Sequence, residues 1–195
     1  RKFAFNRLHR LKFRKKYKIS KNAKVLLCVG RHDPMKDHET LIRAFKKIHK
    51  NFSSTFLILA GSETENIKIS KGIITLGMCK DIDIVYSASD IIVSSSAFGE
   101  GFSNALAEGM SSSLIPIATN VGDSKFIVGK TGKIVKPRNM NELYFAMKEL
   151  LEIDTDVFEK KKLLARDRIK QNFSIHKMVS AYNAIYKNIR ESAYK

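Results

Sequence analysis

Short apolar runs punctuate this chain at intervals, and the first three end on a glycine. Val25-Leu26-Leu27-Cys28-Val29 stops at Gly30, Phe56-Leu57-Ile58-Leu59-Ala60 at Gly61, and Ile73-Ile74-Thr75-Leu76 at Gly77. Runs of this length, bounded in this way, read as buried strands. Ile91-Ile92-Val93 is a fourth, Ile115-Pro116-Ile117-Ala118 a fifth, and Lys133-Ile134-Val135, after Gly132, a sixth. Pro116 cannot donate to a ladder, which puts the fifth run at a strand start or a sheet edge.

The segments between the strands change period. Behind Asp37, a capping residue, Leu41, Ala44, Phe45 and Ile48 recur at helical spacing. Asp81 or Asp83 can cap a short helix through Tyr86. Residues 104–112 read as a helix with Ala105, Leu106, Ala107 and Met110 on its buried side. Helices are also predicted over 141–151, 157–173 and 175 to about 189. Before the first strand the period is weak, with only Phe3, Leu8 and Leu11 at compatible positions, so residues 1–21 read as a linker.

Wholly apolar strands alternating with helices predict an α/β fold: a Rossmann-like, doubly wound parallel sheet of about six strands with helices on both faces. Six strands are too few for an eight-stranded barrel. The expected division is a basic linker over 1–21, one Rossmann-like domain over 22–174 and a terminal helix over 175–195. Ligands of such sheets sit beyond the carboxyl ends of the strands.

Charge adds one feature. Of the net +17, eleven cations fall within residues 1–24, where no acid stands, so the remaining residues carry +6. Such an arm attracts phosphates, anionic lipid or nucleic acid. A solvated linker is the plainer reading, an anionic membrane surface the next. Nucleic acid ranks last because no binding motif accompanies the charge. Cys28 and Cys79 form no CxxC or Cys/His pattern, so neither a disulfide framework nor a zinc site is suggested, and a reducing, cytoplasmic setting is the default. No apolar run of 18 residues occurs. The chain begins at Arg1 without Met, as a fragment or a processed chain does.

Two segments carry the chemistry. Gly30-Arg31-His32-Asp33-Pro34-Met35-Lys36 lies between the first strand and a helix start. Gly30 allows a close backbone approach, Arg31 brings a fork for phosphate, Lys36 a point charge, and the helix its positive end. That set suits a diphosphate. The second segment runs from Ser94 through Phe98-Gly99-Glu100-Gly101-Phe102-Ser103-Asn104 into a helix carrying Glu108. Glycines on both sides of Glu100 leave backbone N–H groups at a helix start, an anion cradle, and Glu108 can reach back to the same pocket. Phe98 and Phe102 can cover a sugar or pack beneath the loop. His32 and His38 read as surface residues. No G-x-G-x-x-G follows any strand, which disfavours a dinucleotide oxidoreductase.

Glu100 and Glu108 form E-x7-E, and the run from Gly99 to Met110 resembles the E-G-F-x-x-x-x-x-E-A-M signature of family-4 glycosyltransferases of the GT-B fold. Gly30-Arg31 with Lys36 is similar to that family's G-R-x-x-x-x-K. The likeness covers roughly residues 22–190, with Gly109 and Ser111-Ser112-Ser113 departing from the commoner Ala and Ala-Cys-Gly or Ala-Ser-Gly. It implies one half of a GT-B fold, the donor-binding half of a retaining, metal-independent transferase with no cofactor besides its nucleotide-sugar substrate. In that likeness Arg31 and Lys36 bind and stabilise the leaving diphosphate, and Glu100 contacts hydroxyls of the donor sugar. The backbone at Gly101, Phe102 and Ser103 holds sugar and phosphate. Glu108 accepts from the ribose, and Met78 and Cys79, after Gly77, lie against the base. The acceptor domain is expected before Arg1, with the last helix crossing toward it. Asp81-x-Asp83 has the letters of a metal motif but is expected to open a helix. A non-catalytic module of the same fold and a nucleotide-sugar epimerase are the competing enzyme-fold readings.

Overall fold

The computed structural model describes residues 3–193. Its centre is a six-stranded sheet, all parallel, of β1 (Lys24–Val29), β2 (Thr55–Ala60), β3 (Ile73–Thr75), β4 (Ile91–Ser94), β5 (Ile115–Thr119) and β6 (Lys133–Val135), in the order β3-β2-β1-β4-β5-β6. The order reverses between β1 and β4, so the loops leaving those two strands diverge and open a crevice. Pro116 is the second residue of β5, an interior strand, and β6 begins to pair only at Ile117.

Successive residues of each strand point to opposite faces. From β1, Leu26 and Cys28 join a core with Leu41, Phe45 and Ile48 of α2 (His38–Asn51) and Leu143, Met147 and Leu150 of α6 (Met140–Glu152). Val25 and Leu27 face the other way. They meet α1 (Arg7–Lys16), α3 (Ile82–Ala88), α4 (Asn104–Ser111), α5 (Ser124–Val128) and α7 (Thr155–Asn172) through Phe13, Val85, Leu106, Ile127 and Ala165. Both faces are covered, which is why the strands carry apolar runs rather than alternation. On α4, Leu106, Gly109 and Met110 are buried, whereas Ala105 and Ala107 are only partly covered.

The expected linker is corrected. Asn6 accepts from the Leu8 and His9 amides and opens α1, whose last turn is basic. The Arg14 guanidinium is buried: it pairs with Asp90 Oδ2 at 2.8 Å and donates to the carbonyls of Ser20, Ala23 and Ala88. Arg10 takes the other oxygen of Asp90 at 2.8 Å, and the Val25 amide donates to Oδ2 at 2.9 Å. Two arginines around one carboxylate thus fasten α1 to the α3–β4 turn. At the other end, every described residue of 175–192 on α8 (Ile175–Ala193) is exposed, including the stripe Ile175, Met178, Val179, Tyr182, Tyr186 and Ile189.

Candidate active site

The loops after β1 and β4 meet at the crevice and are tied together. Beyond Gly30 the chain turns through a 3-10 segment, Pro34–Lys36, capped by Asp33 accepting from the Met35 amide at 2.8 Å. Asp37, left-handed at φ 46°, then caps α2 through the Thr40 amide. The Ala97 amide donates to the Met35 carbonyl at 2.7 Å, Ser95 Oγ to the Lys36 carbonyl at 2.8 Å, and Thr119 Oγ1 to the Ser96 carbonyl at 2.6 Å. A rigid frame of this kind holds side chains in place before any ligand arrives.

Lys36 and Glu100 meet across these loops. Lys36 Nζ pairs with Glu100 Oε1, and Ser96 Oγ donates to the same oxygen at 2.5 Å. The pair is largely withdrawn from water. The Lys36 stem lies along Gly30, where a β-carbon would come within 3.1 Å of it, so glycine leaves the lysine its path. Lys36, Ser96 and Ser103 line a crevice of about 10 Å³ with Cys28, Ser94 and Ser95, room for about one water. Burial pushes the Cys28 thiol up to about 11, so it stays protonated there.

Beside it opens a cleft of about 280 Å³ lined by Gly30, Arg31, Gly61, Met78, Cys79 and Glu108, with Val29 shared between cleft and crevice. Gly61 stands at φ 143°, and a β-carbon there would lie 2.2 Å from the Gly30 carbonyl oxygen, so the loops after β1 and β2 approach this closely only with glycine. Arg31 is 65% exposed, and its Nε donates to Asp33 Oδ2 at 3.1 Å. Tyr86 Oη donates to Glu108 Oε2 at 3.1 Å. Burial first, then Glu108, raises the Tyr86 phenol above its ordinary range, so it remains a donor.

The residues singled out from sequence therefore fall into two adjoining groups that share the wall at Val29 and Gly30. One holds Lys36, Glu100 and Ser103; the other holds Gly30, Arg31, Met78, Cys79 and Glu108. Gly101 and Phe102 are exposed at the entry to α4. Phe102 packs on Phe173 at 5.4 Å between ring centres, and the Arg138 guanidinium lies 5.9 Å from the Phe98 ring. Asp81 and Asp83 open α3, as expected.

Ser96, Tyr86 and Asp33 were not singled out as partners of Glu100, Glu108 and Arg31. Their only signal is the Ser94-Ser95-Ser96 run; the other two depend on folding. His38 is a correction: it is buried, not on the surface, and neither ring nitrogen has a hydrogen-bond partner among the described residues. Of the two departures from the signature, Gly109 acquires a reason, since a β-carbon there would press on Ile92 at 2.9 Å. Nothing in the structure explains Ser113, which occupies the left-handed region at φ 67°, where a glycine fits best.

The sequence profile described as glycosyl transferases group 1 matches residues 23–153. No curated protein matches the chain in sequence. Among solved structures, a glycosyltransferase from Rickettsia africae aligns at a TM-score of 0.82 and 26% identity, over 95% of this chain and 52% of that one. Anabaena HepE in complex with UDP and glucose aligns at 0.81 and 20% identity, over 97% of this chain and 54% of its own. The C-terminal domain of LpcC from Francisella tularensis, a glycosyl transferase group 1 family protein, aligns at 0.73 and 21% identity, over 89% of this chain and 96% of that domain. The chain spans about half the length of the first two.

Proposed function

The chain belongs to the glycosyl transferases group 1 family, and from that premise we propose that it is the donor-binding half of a retaining, hexosyl-type transferase. The sugar passes from a nucleoside diphosphate to a polysaccharide or glycolipid acceptor. The observation that carries the reading is the shared wall at Gly30, which sets the Lys36–Glu100 pair beside the cleft holding Arg31 and Glu108. HepE, of the same fold, binds UDP and glucose.

In this reading the anomeric C–O bond breaks and the departing diphosphate gathers negative charge. Lys36 and Arg31 stabilise that charge, helped by the positive end of α4 behind Gly101, Phe102 and Ser103. Glu100 accepts from hydroxyls of the sugar, Glu108 from the ribose, and the wall at Met78 and Cys79 borders the base. A cleft of about 280 Å³ lies just below the range of complete small-molecule sites, which fits a site whose second wall comes from an acceptor domain. Leaving-group stabilisation falls to cations of the chain, so chelators leave transfer unchanged.

A thermal-shift panel of UDP, GDP, ADP and their sugars tests the reading. A nucleotide at 100 times its Kd stabilises the chain by about 2.7 kcal/mol, and Lys36→Ala or Glu108→Ala abolishes the shift at that concentration. If no nucleotide at millimolar concentration moves the melting curve, the donor-site reading is wrong.

A further inference from the structure

Helix α1 has two faces of opposite character. Inward, Phe13 joins the core while Arg10 and Arg14 are fixed on Asp90, so the helix cannot roll about its axis. Outward, Leu8 and Leu11 are 65% and 50% exposed. Around them stand Arg7, Lys12, Lys15 and Lys16, all exposed. At about 100° per residue these six positions share one half of the helix surface. Phe5, also exposed, precedes its first turn, and no acid occurs before Asp33.

A merely solvated helix face carries both signs of charge and few large apolar side chains. A polyanion such as nucleic acid would explain the cations but leave the leucines in water. A surface with phosphates outside and hydrocarbon beneath explains both. The geometry points to α1 as a docking surface for an anionic lipid bilayer, with Leu8 and Leu11 entering the interface and Arg7, Lys12, Lys15 and Lys16 meeting lipid phosphates. Alongside runs a groove of about 360 Å³ lined by Lys12, Lys16, Lys80 and one acid, Asp81, together with Phe13 and Tyr17. Cys79 lines both this groove and the cleft of the candidate active site. Docking on α1 therefore places that cleft next to the membrane surface. The inference does not depend on the donor reading.

Sedimentation of the 195-residue chain with vesicles tests it. Vesicles containing phosphatidylglycerol carry the chain down, vesicles of phosphatidylcholine alone do not, and added salt weakens the association. Lys12→Gln with Lys15→Gln lowers the partition about 30-fold, taking about 1 kcal/mol for each cation near an anionic surface. Leu8→Ser with Leu11→Ser lowers it about tenfold or more while binding to heparin is unchanged. Both double variants alter outward side chains, so their melting curves match the parent's and a loss of binding is not a loss of fold. Equal binding to the two kinds of vesicle overturns the proposal. So does undiminished vesicle binding by the leucine variant, or binding to DNA without binding to vesicles.

Discussion

Replacing Asp90 by asparagine removes the one carboxylate that holds two guanidinium groups. The side chains of Arg14 and Asp90 are 5% and 4% exposed, so water cannot take over the role of the lost charge. Burial lowers the Arg14 pKa while Asp90 raises it, yet an arginine in a protein stays charged. Asp90→Asn therefore leaves a buried cation without its counter-charge and turns an amide group toward it. Breaking a buried pair from one side costs about 3–5 kcal/mol, against a total stability of about 5–15 kcal/mol for a domain. At roughly 2–4 °C per kcal/mol for a chain of this size, the melting temperature falls by about 6–20 °C. Urea unfolding followed by circular dichroism reads the change directly. The double variant Arg14→Met, Asp90→Ala loses less than the sum of its single changes, because an apolar pair in place of a buried ion pair is often neutral. The effect extends to the site: α1 rests on α3, and α3 carries Tyr86, which holds Glu108. If Asp90→Asn costs under about 1 kcal/mol, the value of a surface pair, the latch is not what fastens α1.

Lys36→Ala, placed in an active parent transferase, lowers turnover by about 10²–10³, or 2.7–4 kcal/mol, the usual loss for one preorganised donor at a developing anion; wild-type turnover in a steady-state assay removes Lys36 from the mechanism. Ser113→Gly relieves a left-handed backbone at φ 67° and stabilises the chain by about 1 kcal/mol, readable as a rise of roughly 2–4 °C in a thermal melt. Burial first, then the neighbouring His32 and Lys36 charges, lowers the His38 imidazole from 6.5 to about 4, with Asp37 opposing. The unfolded chain then takes up this proton at a higher pH than the folded one. Stability falls by about 3 kcal/mol as pH drops from about 6.5 to about 4 and levels off below. His38→Phe flattens that part of the urea-midpoint profile, and an unchanged slope argues against a depressed imidazole.

The sheet was legible because its strands are buried on both faces and the first three apolar runs stop at a glycine; each apolar run became a strand within about a residue of its bounds. Helix α2 was legible from its cap and apolar stripe. Helix α1 was not, because its inward face carries Arg10 and Arg14 where a periodicity argument looks for apolar residues, and Asp90, which makes them acceptable there, lies 80 and 76 positions away. Helix α5, Ser124–Val128, was missed because five residues are too few to establish a period. At the site, sequence spacing found both loops and both glutamates. It could not show that Ser96 reaches back to Glu100 or that Tyr86 holds Glu108, since those bonds depend on where α3 and α4 pack. His38 read as exposed because it sits in a polar loop sequence, yet the αL turn at Asp37 swings it inward.

Under the proposed function, each cation of the site rests on an acid of the same two loops, Lys36 on Glu100 and Arg31 on Asp33. The two pairs are not equivalent. The Arg31 pair is mostly in water, where such a contact contributes about 0–1 kcal/mol and breaks freely when a phosphate arrives. The Lys36 pair is largely buried, and separating it strands both charges unless each finds a new partner. A nucleoside diphosphate offers a partner to Lys36 only. A nucleotide sugar offers one to each: phosphate for the ammonium, hydroxyls for Glu100. Ser96 donates to the same carboxylate oxygen as Lys36, so Glu100 already has a second donor before the exchange. The resting pair is thus a selective element, because it opens at low cost only for a donor that carries both the diphosphate and the sugar.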